Sequence, residues 1–333
     1  MKTIFSFFVL LLFLTPAVAQ YAPQAGVPGS TAISASSTLF DSWATQCSVR
    51  RGYIRIDSPS LGLVSYGDST YAVGPADHSV VSLGDSGVAD LTFPGYIYNG
   101  PGADFAVFEN GFINPANDSL AFLELGFVEV SSDGINYYRF PAHSLTQNAT
   151  QVCGSGDYMY ANLVDGFAGK YGSMYGTPFD LSDLPLTVHL NVNMITHVRI
   201  VDVIGAISGH SSTDAAGNII NDPFPTNFPS GGFDLDAVGV IHRLANAAVA
   251  NVGGRNAARL YPNPASNELY VETENPEQQF TVTVYSATGV VVQNAFPFKG
   301  KTTIALHQYT EGLYYLMLVD SNGCKWVERF IKY

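Results

Sequence analysis

Between residues 50 and 243 the chain alternates apolar and polar positions in short runs. "GYIRI", "SVVSLG", "GVADLTF", "DFAVFEN", "AFLELGFVEVSS", "NYYRF", "LTVHLNV", "HVRIVDVIG" and "FDLDAVGVIH" are separated by Gly, Asn, Asp and Pro. A period of two sends successive side chains to opposite faces of a strand. Helical periodicity is almost absent. The pattern predicts an antiparallel β-sandwich with one strand for each run. A second block, "LYPNPASNELYVE" through "GLYYLMLV" to the C-terminus, alternates in the same way and predicts a small separate all-β unit. "RLANAAVANVGGRNAAR" joins the two and reads as a small-residue linker. The first residues differ. Lys2, an apolar run and Ala17-Val18-Ala19 form a signal-peptide pattern, which starts the mature chain near Gln20. That run is short for a membrane anchor, and no other stretch is long and apolar enough to cross a bilayer. The expected order is a signal peptide over 1–19, a sandwich over 20–245, a linker over 246–259 and a tail domain over 260–333.

The run "SGGFDLDAVGVI" carries two carboxylates in an otherwise apolar strand. Strict alternation puts Asp234 and Asp236 on one face with Val238 and Val240, and Phe233, Leu235, Ala237 and Ile241 on the other. An ionised carboxylate is costly to bury without a partner. Three partners are open: backbone N–H groups, an arginine such as Arg199, or calcium. Calcium takes six to eight oxygen ligands, and Asp104, Glu109 and Asn110 in "GADFAVFENG" could join the set. Asp104 and Glu109 flank an apolar strand, so only one of them can lie near the closing aspartates if those strands pair. Asp214, Asn218 and Asp222 lie in a polar loop, where Asp and Asn also serve turns.

Composition narrows the function classes. The net charge of −13 argues against nucleic-acid or anionic-membrane partners and suits an extracellular protein, including one that binds cations. Of three cysteines, Cys47 and Cys153 lie in the main domain. They could pair after export or remain free thiols. "GDSG" at 84–87 is similar to a serine-protease nucleophile loop, but it joins two strand-like runs and reads as a hairpin turn. "GHSST" at 209–213 lacks the last Gly of a nucleophile elbow. The histidines are scattered singly, without ligand spacing. The Gly-rich stretch 154–181 carries Tyr158, Tyr160, Tyr171 and Tyr175, which could stack on sugars or other flat ligands or pack on the sandwich. "NDPFPTNFPSGG" is a second aromatic loop.

The tail, with "PNPASNELYV", "GLYYLMLV" and its basic-aromatic end, resembles the type A C-terminal sorting domain of the type IX secretion system of Bacteroidetes. That resemblance implies an immunoglobulin-like module, passage through the periplasm, contact with the secretion machinery and delivery to the outer surface or the medium. In the main domain, "FVEVSSDGINYYRF", "ITHVRIVDV" and "GGFDLDAVGVI" resemble strands of galactose-binding-like jelly rolls. In carbohydrate-binding modules of that fold the aspartate matching Asp236 commonly helps hold a structural calcium, and Asp234 stands where those modules carry asparagine. "DSWATQC", "VSLGDSG", "NGPGADFAVFENGF" and "GGFDLDAVGVIH" resemble a family of secreted Bacteroidetes surface proteins. The expected function is a non-catalytic, calcium-stabilised binding module for glycans or another small extracellular ligand. A structural or adhesive surface protein and a secreted hydrolase are the alternatives. An aromatic cleft would favour the first, a flat apolar patch the second and two carboxylates in a groove the third.

Overall fold

The computed structural model describes residues 21–154, 156–185, 187, 189–245, 258–321 and 325–333. The signal-peptide reading, most of the linker and Cys324 lie outside them. The chain divides into two compact units, Met1–Asn246 and Ala247–Tyr333. Among the described residues, strands make up nearly all the regular structure of both, apart from four short 3-10 helices in the first, as the alternation predicts. No described helix is long and apolar enough to cross a membrane.

The first unit is a sandwich of two antiparallel sheets. In one, Phe105–Glu109 lies between Tyr175–Phe179 and the closing strand Asp234–Val240, which also pairs with Ser42–Trp43 and Val81–Ser82. In the other, Ile195–Asp202 lies between Gly126–Ser131 and Val88–Ile97. Phe105, Val107, Leu235, Val238 and Val240 from the first sheet meet Ala89, Leu91, Val128, Val130, Val198 and Ile200 from the second in one core. These side chains are fully or almost fully buried. Removal of this apolar surface from water drives the sheets together, at about 25 cal/mol per Å².

Several runs fold otherwise than the pattern predicts. "GYIRI" makes only isolated bridges, Tyr53 with Leu63 and with Asp85. The described residues of "LTVHLNV" are outside any strand. "AFLELGFVEVSS" is not one strand but two, Asn117–Phe122 and Gly126–Ser131. The "GDSG" turn is not a hairpin, because Val81–Ser82 belongs to one sheet and Val88–Ile97 to the other. It carries the chain across the sandwich with Gly84 and Ser86 at positive φ. A Cβ at Gly87 would lie 1.9 Å from the Leu83 carbonyl oxygen, so this turn requires glycine there.

The closing strand also departs from strict alternation. Its register with Phe105–Glu109 slips between Leu235 and Ala237, so three of its residues oppose Glu109 and Phe108. This is a β-bulge. Phe233 and Leu235 face the core before it, and Val238 and Val240 face the same core after it. Ala237 packs instead with Phe108, Phe40 and Trp43 outside the sheet. Asp234 and Asp236 therefore do not share a face with Val238 and Val240, because the extra residue switches the phase.

The second unit pairs a three-stranded sheet, Ala258–Tyr261, Glu268–Thr273 and Lys301–Ala305, with a four-stranded one. In the latter, Val291–Lys299, Gln279–Ser286, Gly312–Asp320 and Lys325–Lys332 follow in order. Leu269, Val271, Val282, Val284, Leu316, Leu318 and Phe330 fill its core. The result is a small immunoglobulin-like sandwich.

Candidate functional site

The strand break at Leu123–Leu125 shapes the main domain's most chemically distinctive pocket. Leu123 and Leu125 are drawn into a buried cluster with Ala121, Phe127 and Phe167. Glu124, between them, lines a pocket of about 220 Å³ with Asn110, Phe112, Phe122, Gly154, Thr226, Phe228, Ser230, Gly231 and Asp234. Phe112 stacks on Phe122 at 5.0 Å between ring centres, and Tyr158 stands edge-on to Phe112 at 6.0 Å. Phe228 is 62% exposed at the tip of "NDPFPTNFPSGG". Backbone bonds hold that loop: Ser65 and Tyr66 N–H donate to the Pro229 carbonyl, and Gly84 N–H donates to that of Gly231.

Two carboxylates, Glu124 and Asp234, line this pocket, and Glu109 is buried within reach of the Asp234 charge. Asp234 accepts from the Ser82 hydroxyl and, at 3.2 Å, from Asn110 Nδ2. Burial pushes its carboxyl up to about 6, against those hydrogen bonds and the Arg51 charge. Glu109 ends the strand opposite Leu235. Its Oε2 accepts from Gly111 N–H at 2.7 Å, while its Oε1 is buried without a partner. Burial, and then the charge of Asp234, holds the Glu109 carboxyl well above the usual carboxylate range. Glu124 is only 5% exposed and has no hydrogen bond to its carboxyl among the described residues. Burial raises it strongly too, followed by Asp234, Glu109, Asp222 and Asp202. Arg51 donates to the carbonyls of Ser82, Tyr66 and Gly67.

The other candidates are placed elsewhere. Asp236 accepts the N–H groups of Asp77 and His78, each at 3.1 Å. Asp104 sits at the far end of its strand, accepting from Gly100 N–H, Leu181 N–H and His242 Nδ1 at 2.7 Å each. Backbone amides thus answer most of the closing-strand question. Arg199 does not: it pairs with Asp90 at 2.8 Å and lies over Tyr137 on the other sheet. Asp234, Asp236, Asp104 and Glu109 do not converge on one ligand set. No cluster of three or more His, Cys, Asp or Glu among the described residues is placed to hold a metal ion. Asp214 caps its own turn, accepting from Ala216 and Asn218 N–H. Buried Asp222 accepts from Leu125 N–H at 3.1 Å.

The tyrosines separate. Tyr171 is 1% exposed, packs in the core and bonds to the Thr31 hydroxyl, so it is not a ligand contact. Tyr175 pairs with Ser34 at a sheet edge and Tyr160 pairs with Leu120. Only Tyr158 reaches the pocket's aromatic rim. Cys47 and Cys153 are both free and do not form the disulfide. Cys47 is held on the strand opposite Leu91, and burial pushes its thiol up to about 12, while Cys153 is exposed. Glu124 was absent from the sequence-derived candidates. Its signal was a lone carboxylate inside the apolar run "AFLELGF".

Residues 259–333 match the secretion system C-terminal sorting domain. This match makes the chain an exported protein that engages the secretion machinery through its C-terminal unit. No curated protein matches the chain. Among solved structures, a DUF3244 family protein from Bacteroides vulgatus with an immunoglobulin-like β-sandwich is 16% identical, with TM-score 0.21, covering 23% of this chain and 85% of its own. A β-1,2-glucanase from Parabacteroides distasonis is 10% identical, with TM-score 0.25, covering 89% of this chain and 38% of its own. A biofilm associated protein BSP domain is 9% identical, with TM-score 0.19, covering 89% and 52%. Similarity at this level carries no functional argument.

Proposed function

We propose that the exported chain is a surface binding protein whose main sandwich, a galactose-binding-like jelly roll, holds a small extracellular ligand, a glycan or another compact molecule, without transforming it. One observation carries this reading. The pocket gathers aromatic walls and a buried, unbonded carboxyl from separate chain segments, Asn110–Phe112, Phe122–Glu124, Thr226–Gly231 and Asp234. A concave site with apolar walls and a few convergent polar groups is the usual form of a small-ligand site. Binding of the exported chain and its Phe228→Ala variant to a glycan array and a small-molecule panel tests the reading. At least one saturable ligand, weakened in the variant, is expected. Retained binding in the variant would move the site elsewhere, and no ligand at all would contradict the reading.

Hydrolysis is the second reading, favoured by the shared pocket of Glu124 and Asp234, whose raised carboxyls could serve as acid and base. It requires turnover of a bound glycan that Glu124→Gln abolishes. Binding without turnover would leave the first reading alone.

A further inference from the structure

Resting on the binding reading, we propose that this pocket selects a small organic cation: an ammonium group seated between Glu124 and Asp234, with its carbon body against Phe112, Phe122 and Phe228. Glu124 is the observation beyond mere acidity. It is nine-tenths buried, lines the pocket and has no hydrogen-bond donor. A carboxyl this buried, with no hydrogen-bond donor, is costly to ionise, and a positively charged ligand offsets that cost. The remaining lining is made of aromatic rings and neutral polar groups from Asn110, Thr226 and Ser230. Ring faces attract ammonium groups, most strongly where water is excluded.

Charge and shape separate this occupant from its competitors. Calcium needs many oxygen ligands, and both oxygens of Asp234 already accept hydrogen bonds. An anionic ligand would face Glu124 and Asp234 together. A neutral sugar could stack on the rings but leaves the buried carboxyl without an ionic partner. The volume, about 220 Å³, is below that of drug-sized sites and favours a compact ligand. A sugar bearing a free amine meets both the aromatic and the ionic requirement.

The charge of the site also sets a pH dependence. After burial, the largest influences on Glu124 are the charges of Asp234, Glu109, Asp222 and Asp202, all acidic. Arg51 acts on Asp234. Burial and these neighbours raise the Glu124 carboxyl, and an entering ammonium favours its ionised form. Across the pH range in which Glu124 titrates, binding therefore releases protons and affinity rises with pH.

The test is calorimetric titration of the exported chain with choline and with its neutral isostere 3,3-dimethylbutanol. Choline is expected to bind at least about tenfold more tightly than the isostere. Its affinity should rise with pH and fall at least about tenfold in both Glu124→Gln and Phe228→Ala. Phe228 is exposed, so that variant keeps the fold. Equal binding of choline and the isostere overturns the proposal but leaves the pocket as a binding site. So does a neutral glycan that requires Phe228 while choline fails to bind. Calcium binding lost in Glu124→Gln overturns it in favour of a metal. If neither choline nor any member of the wider panel binds, the binding reading falls with it.

Discussion

At the residue scale, the main domain is unusual in keeping many carboxylates away from water. Glu109, Glu124, Asp202 and Asp222 are all raised well above their ordinary values, first by burial. Asp234 and Asp85 are pushed up to about 6, again first by burial. A carboxyl whose folded pKa exceeds its unfolded value binds more protons when folded, so stability falls as pH rises between the two. For Asp234 and Asp85 that window runs from about pH 4 to about pH 6, and for the more strongly raised groups it extends higher. Exposed Asp133, depressed by bonds from Asn136 and Ile135, acts in the opposite sense at lower pH. Urea unfolding of the main domain should give a higher free energy near pH 5 than near pH 7.5, by about 1 kcal/mol or more. Glu124→Gln should reduce the difference by stabilising the domain near pH 7.5. A stability maximum at neutral pH would contradict this account. Tyr171 gives a different outcome. Tyr171→Ala should cost about 3–5 kcal/mol of stability, as for other large core side chains, because the ring is packed in the core rather than offered to a ligand. A thermal melt near that of the parent would place the ring outside the core.

At the element scale, alternation made most of the sandwich legible. "GVADLTF" and "HVRIVDV" became central strands because their apolar positions repeat at the strand period, and "DFAVFEN" because its short continuous apolar run is buried on both faces. What could not be read was where the period breaks. The bulge at Asp236 and the gap at Leu123–Leu125 depend on long-range contacts, the strand pairing with Glu109 in one case and the close approach of Gly169, where an added Cβ would strike the Glu124 carbonyl, in the other. The pocket is built at these breaks, so its central residue was hidden inside a run that read as continuous strand. Asp236 has a local purpose, ordering the 77–78 turn through two amides. Asp236→Ala leaves both amides without that acceptor and should cost about 1–3 kcal/mol. Asp236→Asn keeps one acceptor oxygen and should cost less. Melting curves with calcium and with EDTA should coincide for the parent chain. A clear calcium-dependent rise, lost in Asp236→Asn, would restore the metal reading.

At the scale of the whole molecule, the tail was legible because its order of motifs survives in linear sequence, and the family match covers the same segment. The ligand was not legible, since it depends on loops far apart in the chain. The two compact units predict that a chain ending before Ala258 folds its sandwich yet fails to leave the cell. Fractionation of cells carrying the truncated and full chains checks this, and normal export of the truncated form would contradict it. The central claim is that the pocket between Glu124 and Phe228 is the binding site. Hydrogen exchange with and without a saturating ligand from the binding panel tests it most directly. The account predicts added protection in the peptides covering residues 110–112, 122–125 and 226–231, with none in those covering residues 171–175. Protection confined to the tyrosine segments or to the C-terminal unit, with the pocket peptides unchanged, would contradict it.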